Sequence, residues 1–216
     1  MYKKWVIAVF DFDETIVIEN SLGQLFRYVT GSQWYVVKAL PAIIRYVIKP
    51  GNFYYLRKLV KFHLYHSCLS GRSVDSLNQA GVFALKHLTF NPVVVDHLKQ
   101  HVAEGDIVII ATASPWLYVQ SILKTQGVPF DSIIGTELEI HDEPSRNNQS
   151  SRLSGYLLGE ECSRNNKWLK IEAHILELGL PNYELVAYGN RPDDVDLLQQ
   201  ADTGYVVSGR KITLFK

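Results

Sequence analysis

Two aspartates separated by one residue follow the first apolar run of this sequence and are placed to act together. Residues 5–10 form a run rich in β-forming side chains, and Asp11 and Asp13 come directly after it in the sequence Asp-Phe-Asp-Glu-Thr. At the end of a strand, side chains at i and i+2 point toward the same region, so the two carboxylates are expected to lie close together. Carboxylates this close repel each other unless a cation or a shared proton compensates them.

Such a pair suits phosphoryl chemistry. Mg²⁺ takes oxygen ligands, usually with one or two protein carboxylates, while water and substrate phosphate complete its octahedron. A carboxylate can also attack phosphorus to form an aspartyl-phosphate, which divides one difficult hydrolysis into two easier steps. The second carboxylate then serves as general acid for the leaving oxygen and general base for water. The competing interpretation of an isolated Asp-x-Asp pair is a helix cap or a solvated turn.

Polar groups also follow two later apolar runs. Thr112, Ala113 and Ser114 come after residues 107–111, and Asp194 lies within the polar sequence that follows residues 185–188. In an open α/β sheet, ligands bind beyond the carboxyl ends of the strands, so these groups are expected to converge on Asp11 and Asp13. The hydroxyls with adjacent N–H groups predict a phosphate seat, although a simple helix cap explains them equally well. Asp194 would supply a second carboxylate to a metal ion.

A lysine is the remaining piece of this predicted site. Lys167 precedes a helical pattern at residues 168–178 and could hold a phosphoryl oxygen while offsetting two carboxylates. Lys170, one turn later, is the competing choice, and most lysines are solvated surface residues.

These residues need a scaffold of alternating strands and helices. Strands are predicted at residues 5–10, 107–111, 132–135, 185–188 and 205–207. Helices are predicted at residues 92–104, 118–125, 168–178 and 194–200. Short links between them favour a doubly wound α/β core. Residues 137–158 interrupt the pattern, and their polar centre at 142–151 is expected to be the tip of a β-hairpin.

A second segment that interrupts the α/β pattern, residues 20–74, is rich in basic and aromatic residues and has a helical pattern. The chain has 22 Lys+Arg and 22 Asp+Glu, yet residues 20–74 hold eight of the cations and no acid, so a +8 segment lies inside a −8 remainder. Helices are predicted at 34–49, where Pro41 must kink the helix or begin a new one, and at 53–66. Three interpretations of this segment remain: it attracts an anionic substrate, it contacts an anionic membrane, or its apolar faces pack together while its cations are solvated.

Other features limit the class of protein. Two cysteines without metal or disulfide spacing favour a reducing compartment. The apolar residues 6–10 are too few for a signal peptide, and no run reaches the roughly 18 apolar residues of a membrane span. We therefore expect a cytoplasmic protein, with peripheral membrane contact through the basic aromatic segment as an option. The net charge of zero and the lack of a recognised nucleic-acid-binding module argue against nucleic-acid binding.

The four pieces, in this order, resemble the haloacid dehalogenase superfamily. Its first motif, Asp-x-Asp-x-Thr/Val after the first strand, is matched by residues 11–15, and its second, a Thr or Ser that ends a later strand, is matched by Thr112. Its third motif is a Lys, matched by Lys167, and its fourth is an acidic sequence after a further strand, matched by residues 189–194. The resemblance implies a Rossmann-like doubly wound parallel sheet with an inserted small α-helical cap. The core would comprise residues 1–16 and 89–216, and the cap residues 17–88.

The resemblance also implies roles for individual residues. Asp11 would be the nucleophile and Asp13 the acid/base, which favours phosphoryl chemistry, because dehalogenases of the superfamily lack the second Asp. The phosphoryl group would be bound by Thr112, Ala113, Ser114 and Lys167. Mg²⁺ would be held by the Asp11 carboxylate, the Asp13 backbone carbonyl and Asp194. Asn190 departs from the pattern, since many members have Asp there. Asp193 or Asp194 must then supply the second carboxylate, and the spacing favours Asp194.

The expected function is therefore a Mg²⁺-dependent phosphatase acting on a small-molecule or lipid phosphomonoester. The sequence Thr-Ala-Ser-Pro at 112–115 and the length before it are similar to the phosphoserine-phosphatase-like branch, and the aromatic insert also resembles bacterial phosphatidylglycerophosphate phosphatases. A phosphotransferase and a catalytically decayed module that binds membranes or anions remain as alternatives. The sequence does not specify an oligomeric state.

Overall fold

The strands that precede the predicted chemistry form the centre of one sheet in a computed structural model of the protein. The structure describes residues 4–48, 53–143 and 150–216. Its strands are β1 (Trp5–Asp11), β2 (Ile107–Pro115), β3 (Ser132–Thr136), β4 (Leu138–Glu143), β5 (Ser150–Leu157), β6 (Tyr183–Gly189), β7 (Thr203–Ser208) and β8 (Lys211–Leu214). Its α-helices are α1 (Leu22–Thr30), α2 (Leu40–Ile48), α3 (Phe53–Leu69), α4 (Asp75–Ala84), α5 (Pro92–Glu104), α6 (Trp116–Gln126), α7 (Asn165–Leu178) and α8 (Val195–Gln200).

Six strands form the main sheet in the order β3-β2-β1-β6-β7-β8. All neighbouring pairs are parallel except β7–β8, which is antiparallel. Asp11 pairs in register with Ala111 of β2, and Phe10 with Tyr188 of β6. The carboxyl ends of β1, β2 and β6 therefore lie side by side, which is where an open parallel sheet binds its ligands.

Helices cover both faces of this sheet, because its central strands are continuous apolar runs that must be buried on each side. One buried cluster contains Ala8, Phe10 and Ile110 with apolar residues of α5, α6 and the helices before α5. The second contains Ile7 and Val9 with apolar residues of α7 and α8. The predicted doubly wound α/β fold is confirmed.

In the described residues, the chain between β1 and α5 is mainly helical. We call residues 22–87 the helical segment; besides α1 to α4 it contains 3₁₀ helices at Gln33–Ala39 and Leu85–His87. Pro41 is the second residue of α2, so the chain begins a new helix there, as proline geometry favours. Val17 bridges to Phe90, so the chain leaves the sheet and returns to it at adjacent points. The exact division into core and cap domains stays a prediction.

Strands β4 and β5 correspond to the two arms of the predicted hairpin. Strands β4 and β5 pair antiparallel, whereas positions 144–149 of the predicted tip lie outside the described residues. The ring of Tyr156 lies 4.7 Å from that of His66, so the hairpin packs against α3. The sequence predictions did not include β8, a short, mostly exposed edge strand.

Candidate active site

Three charged side chains from separate elements meet at the carboxyl edge of the sheet. Lys167, in the first turn of α7, places its Nζ 2.7 Å from Oδ1 of Asp11 and 2.5 Å from Oδ1 of Asp194. Asp11 ends β1, and Asp194 directly precedes α8. All three side chains are almost completely buried. Helix α7 begins at Asn165, three residues before the predicted start, so Lys167 belongs to the helix rather than preceding it.

The charges of this cluster do not balance, since two buried carboxylates share one ammonium group. Burial raises the pKa of Asp11 to about 8, and repulsion from Asp194 adds to that rise while Lys167 opposes it. Burial alone would lower the pKa of Lys167, but the Asp11 and Asp194 carboxylates outweigh it and raise that pKa above its ordinary range. When both carboxylates are ionised, the buried cluster carries an excess of negative charge, which a divalent cation would compensate.

Asp13 lies above this cluster with both carboxylate oxygens engaged. The backbone N–H of Ser21 donates to Oδ1 at 2.6 Å, and the Ser114 hydroxyl donates to Oδ2 at 2.6 Å. Asp13 is only partly buried, and together with Asp11 it lines a cavity that opens over the cluster. The donors come from the start of the helical segment and from β2, so the carboxylate has one fixed orientation.

Backbone contacts around β6 orient Asp194. The N–H of Asn190 donates to Oδ2 of Asp194 at 2.9 Å. A Cβ atom at Gly189 would lie 2.6 Å from the Cβ of Asp194, so only glycine lets this carboxylate approach the strand end.

The oxygens near this point fit Mg²⁺ as a donor set. The Asp11 and Asp194 carboxylates and the backbone carbonyl of Asp13 are all hard oxygen ligands. The Asn190 side-chain amide donates to that same Asp13 carbonyl at 3.2 Å, so Asn190 acts here as a neutral neighbour of the ligand set. Together with the unbalanced negative charge, this donor chemistry fits the ion that the sequence predicts.

The structure separates the three predicted phosphate-seat residues. Thr112 is fully buried, its hydroxyl accepts a hydrogen bond from the Ser114 N–H at 3.1 Å, and it does not line the cavity. Ala113 and Ser114 do line the cavity. Strand β2 continues to Pro115, so α6 begins only beyond these residues. Thr112 therefore holds the backbone of Ser114, while Ala113 and Ser114 face the site.

Lys170 occupies a different environment from Lys167. Its Nζ lies 3.3 Å from Oε1 of Glu137, and it is absent from the cavity wall. Of the two lysines that sequence reasoning left open, the structure brings Lys167 to the aspartates.

A cavity of about 630 Å³ opens over this cluster. Its floor is the carboxyl edge of the sheet, and its opposite wall comes from the helical segment. That wall combines apolar and cationic side chains: Leu22, Phe26, Tyr35, Tyr54, Arg57, Lys58, Val60, Lys61 and Leu64. A volume of this size suits a small molecule or the headgroup of a larger one.

Ionic contacts connect the two sides of the cavity. Lys61 of α3 bonds to Glu161 and donates to the backbone carbonyl of Ala113 at 2.9 Å. Arg57 lies 3.4 Å from Asp193, and the Arg164 guanidinium stacks 3.8 Å from the ring centre of Tyr54. Sequence reasoning did not identify Glu161 or Arg164, and it considered Asp193 only as an alternative metal ligand. The only signal was the shared helical face of Arg57 and Lys61, which marks a cationic surface without naming its partners.

This chain matches a known family and a curated relative over most of its length. The model of the haloacid dehalogenase-like hydrolase family matches residues 8–199. Protein CicA of Caulobacter vibrioides is 29% identical over 203 residues, which cover 91% of this chain and 83% of CicA.

Two solved structures show the same fold. A Bordetella pertussis Tohama I protein of unknown function has a TM-score of 0.72 at 20% identity, covering 94% of this chain and 89% of that one. A phosphoserine phosphatase with a phospho-aspartyl intermediate analogue has a TM-score of 0.59 at 21% identity, covering 94% and 86%.

Proposed function

Because this chain belongs to the haloacid dehalogenase-like hydrolase family, we propose that it is a Mg²⁺-dependent phosphatase that hydrolyses a phosphomonoester through an aspartyl-phosphate on Asp11. The observation that carries the proposal is the buried cluster of Asp11, Lys167 and Asp194 beneath a cavity lined by Asp13. A nucleophile, a phosphoryl-binding cation, a second carboxylate and an acid/base group are the parts this reaction requires.

In the first step, a carboxylate oxygen of Asp11 forms a bond to phosphorus while the bond from phosphorus to the ester oxygen breaks. Lys167 holds Oδ1 of Asp11 and so fixes the orientation of the nucleophile. Asp13 gives its proton to the leaving alkoxide, and Ser21 N–H and the Ser114 hydroxyl hold it in position for that transfer.

In the second step, Asp13 accepts a proton from the water that attacks the aspartyl-phosphate, which restores Asp11 and releases phosphate. The Lys167 ammonium stabilises negative charge on the phosphoryl oxygens in both steps. The Asp11 and Asp194 carboxylates and the Asp13 carbonyl would hold Mg²⁺, which would supply further positive charge near the phosphoryl oxygens.

The cavity wall favours a substrate whose remainder is anionic or apolar. Arg57 and Lys58 place cationic groups in the wall, each also within 3.5 Å of an acidic partner, and Phe26 and Val60 provide apolar surface. A lipid phosphomonoester of the phosphatidylglycerophosphate type combines both properties. Phosphoserine needs an acid for its ammonium group. Glu19, which follows Asp13 closely in sequence, accepts a hydrogen bond from the Thr89 N–H at 2.8 Å, and Glu161 and Asp193 of the cavity wall already lie against Lys61 and Arg57. We therefore favour the lipid ester over phosphoserine.

Turnover of a generic aryl phosphate by the purified protein tests the proposal. We expect Mg²⁺-dependent phosphate release that EDTA abolishes and that Asp11→Asn lowers at least about a thousandfold. Asp96→Asn is the matched control, because Asp96 is exposed on α5 and far along the chain from the site. Full activity in Asp11→Asn would contradict the role of Asp11 as the nucleophile. Inactivity of the folded wild-type protein with Mg²⁺ would contradict the phosphatase proposal itself and favour a binding module.

A second assay compares substrates and acceptors. Phosphatidylglycerophosphate in detergent should be hydrolysed with a higher kcat/KM than phosphoserine or sugar phosphates. Phosphate should appear in solution rather than on added alcohols, whereas transfer to the alcohols would indicate a phosphotransferase.

A further inference from the structure

Residues 34–48 expose an unusual amount of apolar surface. Of the twenty large apolar side chains that are exposed in the described parts of the chain, eight lie in this stretch. They are Trp34, Val36, Val37, Leu40, Ile43, Ile44, Val47 and Ile48. Trp34 is 76% exposed and Ile48 79% exposed, so these are among the most exposed side chains of that kind. A continuous apolar stretch on a surface marks a site of contact with another molecule or with a membrane.

The apolar stretch is mixed with cations and free of acids. Lys38 and Arg45 lie within it and are exposed. The stretch itself falls inside residues 20–74, which contain eight Lys/Arg and no Asp or Glu. Exposed aliphatic side chains, a tryptophan and basic residues on short helices are the features of helices that lie in the interface of an anionic bilayer.

From these observations we propose that residues 34–48 dock the protein on an anionic lipid surface. Trp34, Ile44, Val47 and Ile48 insert among the acyl chains near the headgroups, while Lys38 and Arg45 meet lipid phosphates. None of the helices in the described ranges has the length and hydrophobicity of a membrane span, and docking at the interface needs none.

The charge of the segment selects this occupant over a second copy of the chain. A symmetric dimer through the same face would bring two acid-free basic segments together, and like charges facing each other disfavour that interface. An anionic bilayer instead matches both the apolar side chains and the cations.

The docking stretch is continuous with the cavity wall. Tyr35, the neighbour of Trp34 in the 3₁₀ helix, lines the cavity. Docking would therefore hold the cavity beside the lipid headgroups. In this respect the inference deepens the proposed function, because it names a membrane phosphomonoester as the substrate that docking presents.

Vesicle co-sedimentation tests the docking. We expect the full chain to bind vesicles of phosphatidylcholine with roughly one third phosphatidylglycerol, and to bind phosphatidylcholine alone much more weakly. Binding should also weaken as salt is raised from about 0.1 M to 1 M, because the Debye length then falls from about 10 Å to about 3 Å.

Two double variants test whether vesicle binding depends on residues 34–48 or on exposed apolar side chains anywhere on the surface. Ile44→Glu with Ile48→Glu should lower the partition coefficient onto anionic vesicles at least about tenfold. Leu176→Glu with Leu214→Glu removes two equally exposed apolar side chains elsewhere and adds the same charge, and it should bind nearly as the wild type does. Turnover of the soluble aryl phosphate should be unchanged in both, which keeps this test independent of the proposed phosphatase chemistry.

Several outcomes would overturn docking on lipid. Vesicle binding that is absent, indifferent to lipid charge, or reduced equally by both double variants contradicts it. A wild-type dimer in sedimentation velocity that the Ile44/Ile48 variant converts to monomer, without vesicle binding by either, would assign the surface to a second copy. Equal loss of activity on the aryl phosphate and of vesicle binding in that variant would indicate misfolding rather than a docking role, and would also count against the assignment of these side chains as free surface.

Discussion

The carboxyl edge of the sheet and the exposed stretch at residues 34–48 use charge in opposite ways. At the sheet edge, Asp11, Lys167 and Asp194 are buried and each charged group lies against an opposite charge from another element. In the exposed stretch, Lys38 and Arg45 stand at the surface among apolar side chains that solvent reaches. The first arrangement is fixed by contacts within the chain, and the second has apolar surface that no contact in the described chain covers.

This difference indicates what constrains each region. A buried charge is tolerated only if it is paired or has a function that repays its desolvation, so the sheet edge is constrained by chemistry at fixed geometry. Exposed apolar residues contribute nothing to the folded state by burial, so folding alone does not explain their concentration at 34–48. Substitutions should therefore act on activity and stability in the first region, and on association in the second.

The largest expected effect is at Lys167. Lys167→Met keeps most of the side-chain volume but removes the charge that holds Asp11 and binds phosphoryl oxygens, so aryl phosphate turnover should fall at least about a thousandfold. Lys170→Met, one turn along α7, changes an exposed contact with Glu137 and should retain activity within about twofold. Steady-state kinetics of both variants provides the measurement. The reverse pattern would move the phosphate-binding role to Lys170.

An intermediate effect is expected where α3 meets the loop before α7. Lys61 and Glu161 have side chains only 18% and 8% exposed, whereas Lys58 and Glu160 are 35% and 68% exposed. A double-mutant cycle with Lys61→Met and Glu161→Gln should give a coupling energy of about 1–3 kcal/mol in urea unfolding. The same cycle on Lys58 and Glu160 should give less than about 1 kcal/mol.

Equal coupling energies in the two cycles would contradict this account of the cavity wall, because they would show that burial does not strengthen the inner contact. A larger value for the outer pair would do so more strongly.

The smallest effect on folding is expected at residues 34–48. Ile44→Ala should change the free energy of unfolding by no more than about 0.5 kcal/mol, because Ile44 is exposed. Ile110→Ala, in the middle of β2, removes the same atoms from a fully buried site and should cost about 2–5 kcal/mol. Urea denaturation of the two variants measures this contrast. A cost above about 2 kcal/mol for Ile44→Ala would show that the stretch is packed, and the comparison between the two regions would fail.

The sequence predicted the sheet well where pattern alone determines burial. Strands β1, β2 and β6 are continuous apolar runs, which are typical of parallel strands covered on both faces, and polar residues follow each of them. The edge strand β8 was not predicted, because Lys-Ile-Thr-Leu is short and mostly exposed and carries no comparable signal.

The sequence pattern was also insufficient to predict some contacts of the candidate site. Choosing between Lys167 and Lys170 requires the rotation of α7 against the sheet, which is set by tertiary packing and not by the period of the helix. Glu161 lies in an irregular loop, where no periodicity predicts a contact with α3. The helices within 34–48 follow from the pattern, but their exposure does not, since a pattern cannot show whether another element covers an apolar face.

Mass spectrometry of the trapped enzyme directly tests whether Asp11 forms an aspartyl-phosphate during turnover. The protein is mixed with aryl phosphate and Mg²⁺, quenched in acid within the first turnovers, digested and analysed. We expect the added mass of one phosphoryl group on the peptide that contains Asp11, its removal by hydroxylamine, and its absence in Asp11→Asn. A phosphoryl group on any other residue, or the same adduct in Asp11→Asn, would contradict this expectation.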